Sequence, residues 1–289
     1  MSDGALVAFA PQRAHLRQVA YRMLASVSDA EDVVQDAYLR WGALTEAERA
    51  AVRSPRAYLT QVVTRLCLDR LGAARTRREV YPGTWLPEPL IEPPDPALAD
   101  QLGLALQLTL ERLSPLERAA FLLRDVFDLD VAEVAGALGR SEEAVRQLAS
   151  RARAHVRAEA PRYAPDRAAV ARLAAAFHAA MVGGDLAAIA GMLADDAVYY
   201  SDGGGKRAAA RNPIIGKDRI LRFFLGLAGK LGGPPPASTV TPAVIDGLPG
   251  FILRGPDGPE TLALHIVDGT IRTFYGVRNP DKLRHLALG

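Results

Sequence analysis

Apolar residues recur every three to four positions over the first part of the chain. Leu16, Val19, Ala20, Met23 and Leu24 share one helical face, and Tyr58, Leu59, Val62, Val63 and Leu66 share another, so the stretch from about Pro11 to Ala73 predicts a helical domain. Ser28-Asp29, followed by Glu31 and Asp32, reads as a helix start: a short side-chain oxygen caps free amides, and acids in the first turn favour the dipole. Ser54-Pro55 marks a second start. Between Tyr81 and Pro96 lie Pro82, Pro87, Pro89, Pro93, Pro94 and Pro96, which remove amide donors and predict an extended linker.

A second helical stretch runs from about Pro96 to Glu159. Ser114 caps a helix with Pro115 at its first position. Val131, Val134, Ala135 and Leu138 form one apolar stripe, Gly139 permits a tight turn, and Ser141 opens a helix carrying Val145, Leu148, Ala149, Ala152 and Val156. That order predicts a helix-turn-helix. Pro161 and Pro165 mark a further boundary, after which the periodicity changes. Helices are expected at about 166 to 182, 185 to 194 and 216 to 230, then strands near Thr239 to Ile245, Phe251 to Arg254, Thr261 to Val267 and Thr270 to Val277. Asp246-Gly247, Asp257-Gly258 and Asp268-Gly269 supply turns, so the last part predicts an α+β domain with an antiparallel sheet. The fold class is therefore a multidomain chain: two all-α helical domains, the second with the helix-turn-helix, then an α+β domain.

Composition narrows the classes. The 289 residues are 49% hydrophobic and 24% charged, enough for two or three separate cores and against disorder throughout. Cys67 is the only cysteine, which excludes an internal disulfide framework and a CxxC zinc or redox site and suits a reducing cytoplasm. Neither a signal peptide nor an apolar run of about 18 residues is found, so a soluble protein with no membrane partner is expected. The net charge of +2 hides local clusters. Asp29, Glu31, Asp32 and Asp36 form an acidic group, whereas residues 65 to 80 and 140 to 157 each hold five arginines against two acids. Such patches can dock on phosphates without any net basic charge.

In the helix after Ser141, the face opposite the apolar stripe offers Arg146, Gln147, Ser150, Arg151, Arg153 and Arg157. Arg and Gln near the start of such a helix reach guanine and adenine edges, while later arginines suit phosphates. Arg65, Arg70, Arg75, Arg77 and Arg78, with Tyr58, Tyr81 and Trp85 nearby, could hold a backbone and stack the bases of an opened strand, or simply be a solvated helix end. The last domain contains His178, Tyr199, Asp202, His265, Asp268 and Tyr275, but no base with an orienting partner can be read among them, so no catalytic residue is assigned. Asp202 to Lys206 (DGGGK) lacks the spacing of a phosphate loop and reads as a tight turn. Cys67 reads as a buried small side chain. Neither cofactor nor metal is called for.

Ser28 to Trp41 (SDAEDVVQDAYLRW), Ser54 to Glu79 and Leu113 to Val156 resemble, in order and spacing, the two helical domains of extracytoplasmic-function sigma factors. WLPEP (Trp85 to Pro89), DGGGK and NPDKL (Asn279 to Leu283) resemble the subgroup with a fused SnoaL-like, NTF2-type C-terminal cone domain. The resemblance implies sigma domain 2 over 1–80, a linker over 81–96, sigma domain 4 over 97–160 and an NTF2-like regulatory domain over 165–289. It implies core RNA polymerase and promoter DNA as partners, with a small-molecule ligand for the last domain left open, and a monomer when free. Asp32, Gln35, Asp36 and Arg40 match the polymerase-binding surface. Arg65 to Arg78 match the segment that melts the minus-10 element, although Leu66 stands where family members often carry Asn. Arg146, Gln147, Ser150 and Arg151 fall in the helix that reads the minus-35 element. Trp85, Leu86, Pro87, Asp202, Lys206, Asn279, Asp281 and Lys282 are expected to form or border one regulatory contact between linker and C-terminal domain. Two rivals remain: a helix-turn-helix repressor with a ligand-binding domain, and a SnoaL-type enzyme with an appended DNA-binding region.

Overall fold

The computed structural model describes residues 7–79, 81–92, 104–159 and 166–286. It divides into two units, Met1–Glu79 with Leu106–Ala160, and Val80–Ala105 with Pro161–Gly289. Among the described residues no helix is long and apolar enough to cross a membrane, and no cluster of three metal-ligating side chains occurs.

The helical unit begins with α1 (Arg13–Leu24), α2 (Val27–Ala43), α3 (Glu46–Ala51) and α4 (Pro55–Glu79). Its core joins Leu16, Val19 and Met23 of α1 to Val33, Ala37 and Trp41 of α2 and Leu59, Val63 and Cys67 of α4. Burial pushes the Cys67 thiol far up and makes it a poor nucleophile. The start of α2 differs from the expected Ser28-Asp29. Ala25 closes α1 in the left-handed region (φ 56), Ser26 leaves it in an extended conformation, and Ser26 Oγ accepts from the Asp29 amide at 3.1 Å. The cap therefore falls two residues earlier, and Asp29 lies inside the first turn. Ser54 does cap α4, accepting from Ala57 N at 3.2 Å.

The second half of this unit comprises α5 (Leu104–Glu111), α6 (Pro115–Phe121), a single π turn at Leu122–Val126, α7 (Val131–Leu138) and α8 (Glu142–Glu159). Ser114 with Glu117, and Asp130 with Glu133, make capping boxes that fix the starts of α6 and α7. Gly139 ends α7 at φ 61, a conformation that suits glycine, and Ser141 Oγ then caps α8 through Ala144 N at 3.2 Å. The helix-turn-helix therefore follows from the caps and one glycine.

The two halves pack on each other. Arg118, 2% exposed, donates to the Met23 carbonyl at 2.6 Å, to Leu110 O at 2.9 Å and to Glu111 at 2.7 Å. Burial lowers its pKa to about 10. Gln107 Nε2 donates to Arg22 O at 3.1 Å. His15 meets Phe127 edge to face at 5.3 Å, and its ring nitrogens lie 3.2 Å from Thr60 Oγ1 and 3.4 Å from Arg56 Nη2. Burial and the Arg56 charge lower the His15 pKa to about 4, so the ring stays neutral and can accept from Arg56.

In the second unit, α9 (Arg167–Gly183), α10 (Leu186–Met192) and α11 (Lys217–Leu231) accompany a seven-stranded sheet. Its strands are β1 (Ile91–Glu92), β2 (Leu193–Asp202), β3 (Ile214–Ile215), β4 (Val240–Ile245), β5 (Leu248–Gly255), β6 (Gly258–Val267) and β7 (Thr270–Val277). Their order is β1-β4-β5-β6-β7-β2-β3. The sheet is mixed, not purely antiparallel, because β2 pairs with β7 in parallel. β2 was hidden in the sequence: its first residues continue the apolar pattern of α10, and Asp195-Asp196 interrupt the alternation. The core on one face of the sheet holds Phe177, Tyr199, Phe251, Leu264, Ile271 and Phe274, with Phe177 and Phe274 centroids 5.6 Å apart and Tyr199 and Phe223 at 5.0 Å. Helices packed on a mixed sheet make this an α+β domain, the class the turns and strand runs predict.

Candidate nucleic-acid interface and linker dock

On α8, Val145, Ala149 and Ala152 are buried, so helical periodicity turns the intervening polar residues outward. Glu143, Arg146, Gln147, Ser150 and Arg151 line an open hollow of about 560 Å³. Arg146 is paired to Glu142 at 2.6 Å, Arg151 approaches Glu117 at 3.6 Å and Arg153 holds Asp125 at 2.7 Å. Exposed pairs of this kind are worth about 0–1 kcal/mol, so a phosphate or base edge can replace the carboxylate. The sequence brought these residues to one face correctly, but it did not reveal their acidic partners.

The basic stretch of α4 is divided. Arg65 is exposed, and its guanidinium donates to Gly136 O at 2.9 Å and Ala137 O at 3.4 Å. These are carbonyls of the last turn of α7, which lack helical partners. Leu66 is 7% exposed and packs into the core, so it is a core residue at the position where relatives often place Asn. Arg70 faces acids: 2.9 Å to Asp36, 3.6 Å to Asp32 and 3.9 Å to Asp29. The side chains of Arg75, Arg77 and Arg78 lie outside the described residues. On α2, Asp32, Gln35 and Arg40 are exposed opposite the buried stripe, and Asp36 is half-exposed beside Arg70.

Tyr81 and Trp85, expected as base-stacking aromatics, instead belong to the linker dock, where they cover a lysine. Asp202, fully buried at the end of β2, accepts from Tyr81 Oη at 2.5 Å, Leu86 N at 2.9 Å, Gly204 N at 3.0 Å and Lys282 Nζ at 2.7 Å. Lys282 Nζ also donates to Leu86 O and sits 4.2 Å from the Trp85 ring centre and 5.0 Å from that of Tyr81. Asn279 Nδ2 donates to Tyr81 Oη at 2.8 Å. Pro87 is buried. Lys206 does not touch the linker in these contacts; it pairs with Asp281 at 2.5 Å, and Arg284 joins Asp281 at 2.9 Å. Burial and the Asp202 carboxylate push the Tyr81 hydroxyl up, so it remains a donor. Gly204, at φ 62, approaches Asn279 so closely that an added Cβ would lie 2.3 Å from Asn279 Nδ2. The glycines of DGGGK thus serve close approach, as a tight turn requires.

A second carboxylate was missed by the sequence reading. Asp246, fully buried in the β4–β5 turn at φ 48, accepts from Leu90 N at 3.2 Å and donates its own amide to Leu90 O at 2.9 Å. Its carbonyl accepts from Leu104 N at 2.8 Å. β1 adds to the sheet edge beside it, with Ile91 opposite Ile245. The only sequence signal was an ordinary Asp-Gly turn.

The polar groups of the last domain do not converge. Tyr199 lies in the core, its hydroxyl pushed up to about 12 by burial and the Glu260 charge. His178 stacks on Phe251 at 5.4 Å, with Nε2 buried and unpartnered. His265 and Tyr275 alternate with the core residues Leu264 and Phe274, which places them on the other face of the sheet. Burial and Arg272 lower the His265 pKa. Asp268 occupies a turn at φ 50, and Asp202 is committed to the linker.

Comparison with known proteins fits this geometry. Residues 10–77 match the family model of Sigma-70 region 2, and 103–156 that of Sigma-70, region 4. The chain is 40% identical to the ECF RNA polymerase sigma factor SigJ of Mycobacterium tuberculosis, over 95% of this chain and 91% of the relative. It is 32% identical to a probable ECF RNA polymerase sigma factor, SigI, of the same species, over 97% of this chain and 95% of the relative. The crystal structure of SigJ superposes with a TM-score of 0.78 at 37% identity, covering 96% of this chain and 98% of that one. The chain belongs to the extracytoplasmic-function sigma factor family. Membership excludes the repressor reading as an account of the whole chain.

Proposed function

We propose that this chain docks on core RNA polymerase through Asp32, Gln35, Asp36 and Arg40 of α2 and directs promoter-specific initiation in the cytoplasm. The observation that carries the reading is the outward face of α8, where Arg146, Gln147, Ser150 and Arg151 surround an open hollow behind the Gly139 turn. In this reading that face takes the minus-35 element in the major groove, and Arg65 with Arg75, Arg77 and Arg78 of α4 takes the opened minus-10 strand. Polymerase supplies the chemistry, and no chemical step falls to this chain. The C-terminal domain acts in cis through the linker dock. Aromatic side chains pack the core against the sheet, and regulation is assigned to the Asp202 and Asp246 contacts. The free chain is a monomer. Initiation from promoter fragments by core enzyme supplemented with the full chain tests the reading.

Base reading separates from phosphate binding on α8. Arg146→Ala or Gln147→Ala relaxes base preference at the upstream element, losing about 1–3 kcal/mol of discrimination for a bidentate contact. Arg153→Ala weakens binding to all sequences alike and lowers the salt slope by about one contact. A binding-site selection at two salt concentrations checks both; identical profiles for the three variants contradict the assignment.

A further inference from the structure

Arg70 reads from sequence as one more DNA-facing arginine, yet its surroundings are acidic. Its side chain is 29% exposed, and its guanidinium spans the N-terminal half of α2. Nη2 donates to Asp36 Oδ2 at 2.9 Å, Nη1 donates to the Asp29 carbonyl at 3.1 Å, and Nη1 lies 3.6 Å from Asp32 and 3.9 Å from Asp29 carboxylates. A promoter phosphate approaching Arg70 would meet three carboxylates first. Arg65, one turn earlier, is bound only to carbonyl oxygens and carries no such barrier.

The same contacts have a clear use for α2. Asp29, Asp32 and Asp36 repeat at three- and four-residue intervals, so they repel each other along one side of the helix. A planar guanidinium holding two of its donors on fixed oxygens relieves that repulsion and fixes the Asp36 rotamer. Asp32 remains 68% exposed and Asp36 45%, so both stay available to a basic partner. Leu39, 56% exposed, lies one turn beyond, on the side of α2 opposite Ala30, Val33, Ala37 and Trp41. The braced face therefore offers charge beside an apolar residue that has no place in the core of its own unit.

We propose that Arg70 is a positioning residue of the polymerase-docking face and not a contact to the promoter strand: it sets the geometry of Asp36 and Asp32 for the basic surface of core polymerase. The proposal rests on the reading of α2 as the docking helix.

The test measures two affinities of the full-length chain: for core polymerase, and, at saturating core, of the holoenzyme for a single-stranded minus-10 oligonucleotide. Arg70→Ala lowers core affinity roughly 10-fold, as expected for a coupled pair, and leaves strand affinity unchanged. Arg70→Lys, which keeps the charge but not the fork, recovers part of the loss. Arg65→Ala does the reverse, lowering strand affinity alone. Thermal melting of each variant checks the fold, and Arg70→Lys carries the test if the alanine variant melts early. Strand affinity lost with core affinity intact overturns the proposal, as does a lysine variant no better than alanine. Asp36→Arg separates the two claims: wild-type core affinity in that variant removes the docking reading itself, whereas a loss there without one in either Arg70 variant removes only the proposal.

Discussion

Tethering α4 to α7 sharply lowers promoter-dependent initiation. Arg65 touches the Ala137 carbonyl, and Arg146 lies nine residues after Ala137, a span of at most about 31 Å even if extended. The minus-10 and minus-35 elements are about 25 base pairs apart by their own labels, or roughly 85 Å of duplex. With α4 packed on α7, one chain cannot place Arg65 and Arg146 on both elements. The two halves must part, which breaks the buried Arg118 to Met23 bond and the His15 to Phe127 contact. A cysteine pair at Gln61 and Gly136 provides the tether, because a Cβ on Gly136 lies 3.3 Å from the end of the Gln61 side chain. A short reducible bifunctional thiol reagent closes it, and the buried Cys67 does not compete. Initiation falls by a factor on the order of 100 or more in the linked chain, equivalent to about 3 kcal/mol, and returns on reduction. Full activity of the linked chain would mean that the halves need not separate.

Replacing Asp202 by alanine has the largest expected effect on stability. It leaves Lys282, 13% exposed, without its carboxylate, and it strips the acceptor from Tyr81 Oη and Leu86 N. Breaking one side of a buried ion pair costs about 3–5 kcal/mol, whereas replacing both partners by apolar groups is often close to neutral. Asp202→Ala therefore lowers the melting temperature of the C-terminal unit and exposes residues 81–90 to protease. Asp202→Leu with Lys282→Met recovers most of the stability but not the linker contacts. In the cis-regulation account the double variant keeps its fold and changes promoter binding. Calorimetry, limited proteolysis and a promoter-binding assay on the same samples distinguish the effects. A double variant that is stable, protease-sensitive in the linker and unchanged in promoter binding leaves the dock a packing role only.

What could be read in the sequence was local. Ser114 with Pro115, Ser141 and Gly139 each act within a few residues, and each marks the helix boundary expected of it. The outward face of α8 follows from periodicity alone. The partners of those outward residues do not. Arg65 and Arg70 are five residues apart on one helix with the same chemistry, yet one binds carbonyls 71 and 72 residues away and the other binds acids more than thirty residues away. No local pattern distinguishes them. Likewise β2 pairs in parallel with a strand some seventy-five residues later, and β1 and β3 are two residues each, too short to show a period. The expected meeting of Trp85, Leu86, Asp202, Asn279 and Lys282 rested on three distant motifs that share rigid, turn-rich chemistry, and the contacts among them are a buried carboxylate answered by one lysine, one phenol and two backbone amides. Asp246 shows the limit, since an Asp-Gly turn on the surface and one that pins Leu90 and Leu104 have the same sequence.

The central claim, that the chain directs core polymerase to specific promoters, is tested most directly by initiation in a purified system. Cognate core RNA polymerase, supplied with supercoiled genomic fragments and the full-length chain, is assayed by mapping the 5′ ends of the transcripts. The account predicts discrete starts that require the chain, share one sequence near minus 10 and one near minus 35, and lose the upstream preference in Arg146→Ala. Transcripts that core enzyme makes equally well alone, or starts with no shared upstream element, would contradict it.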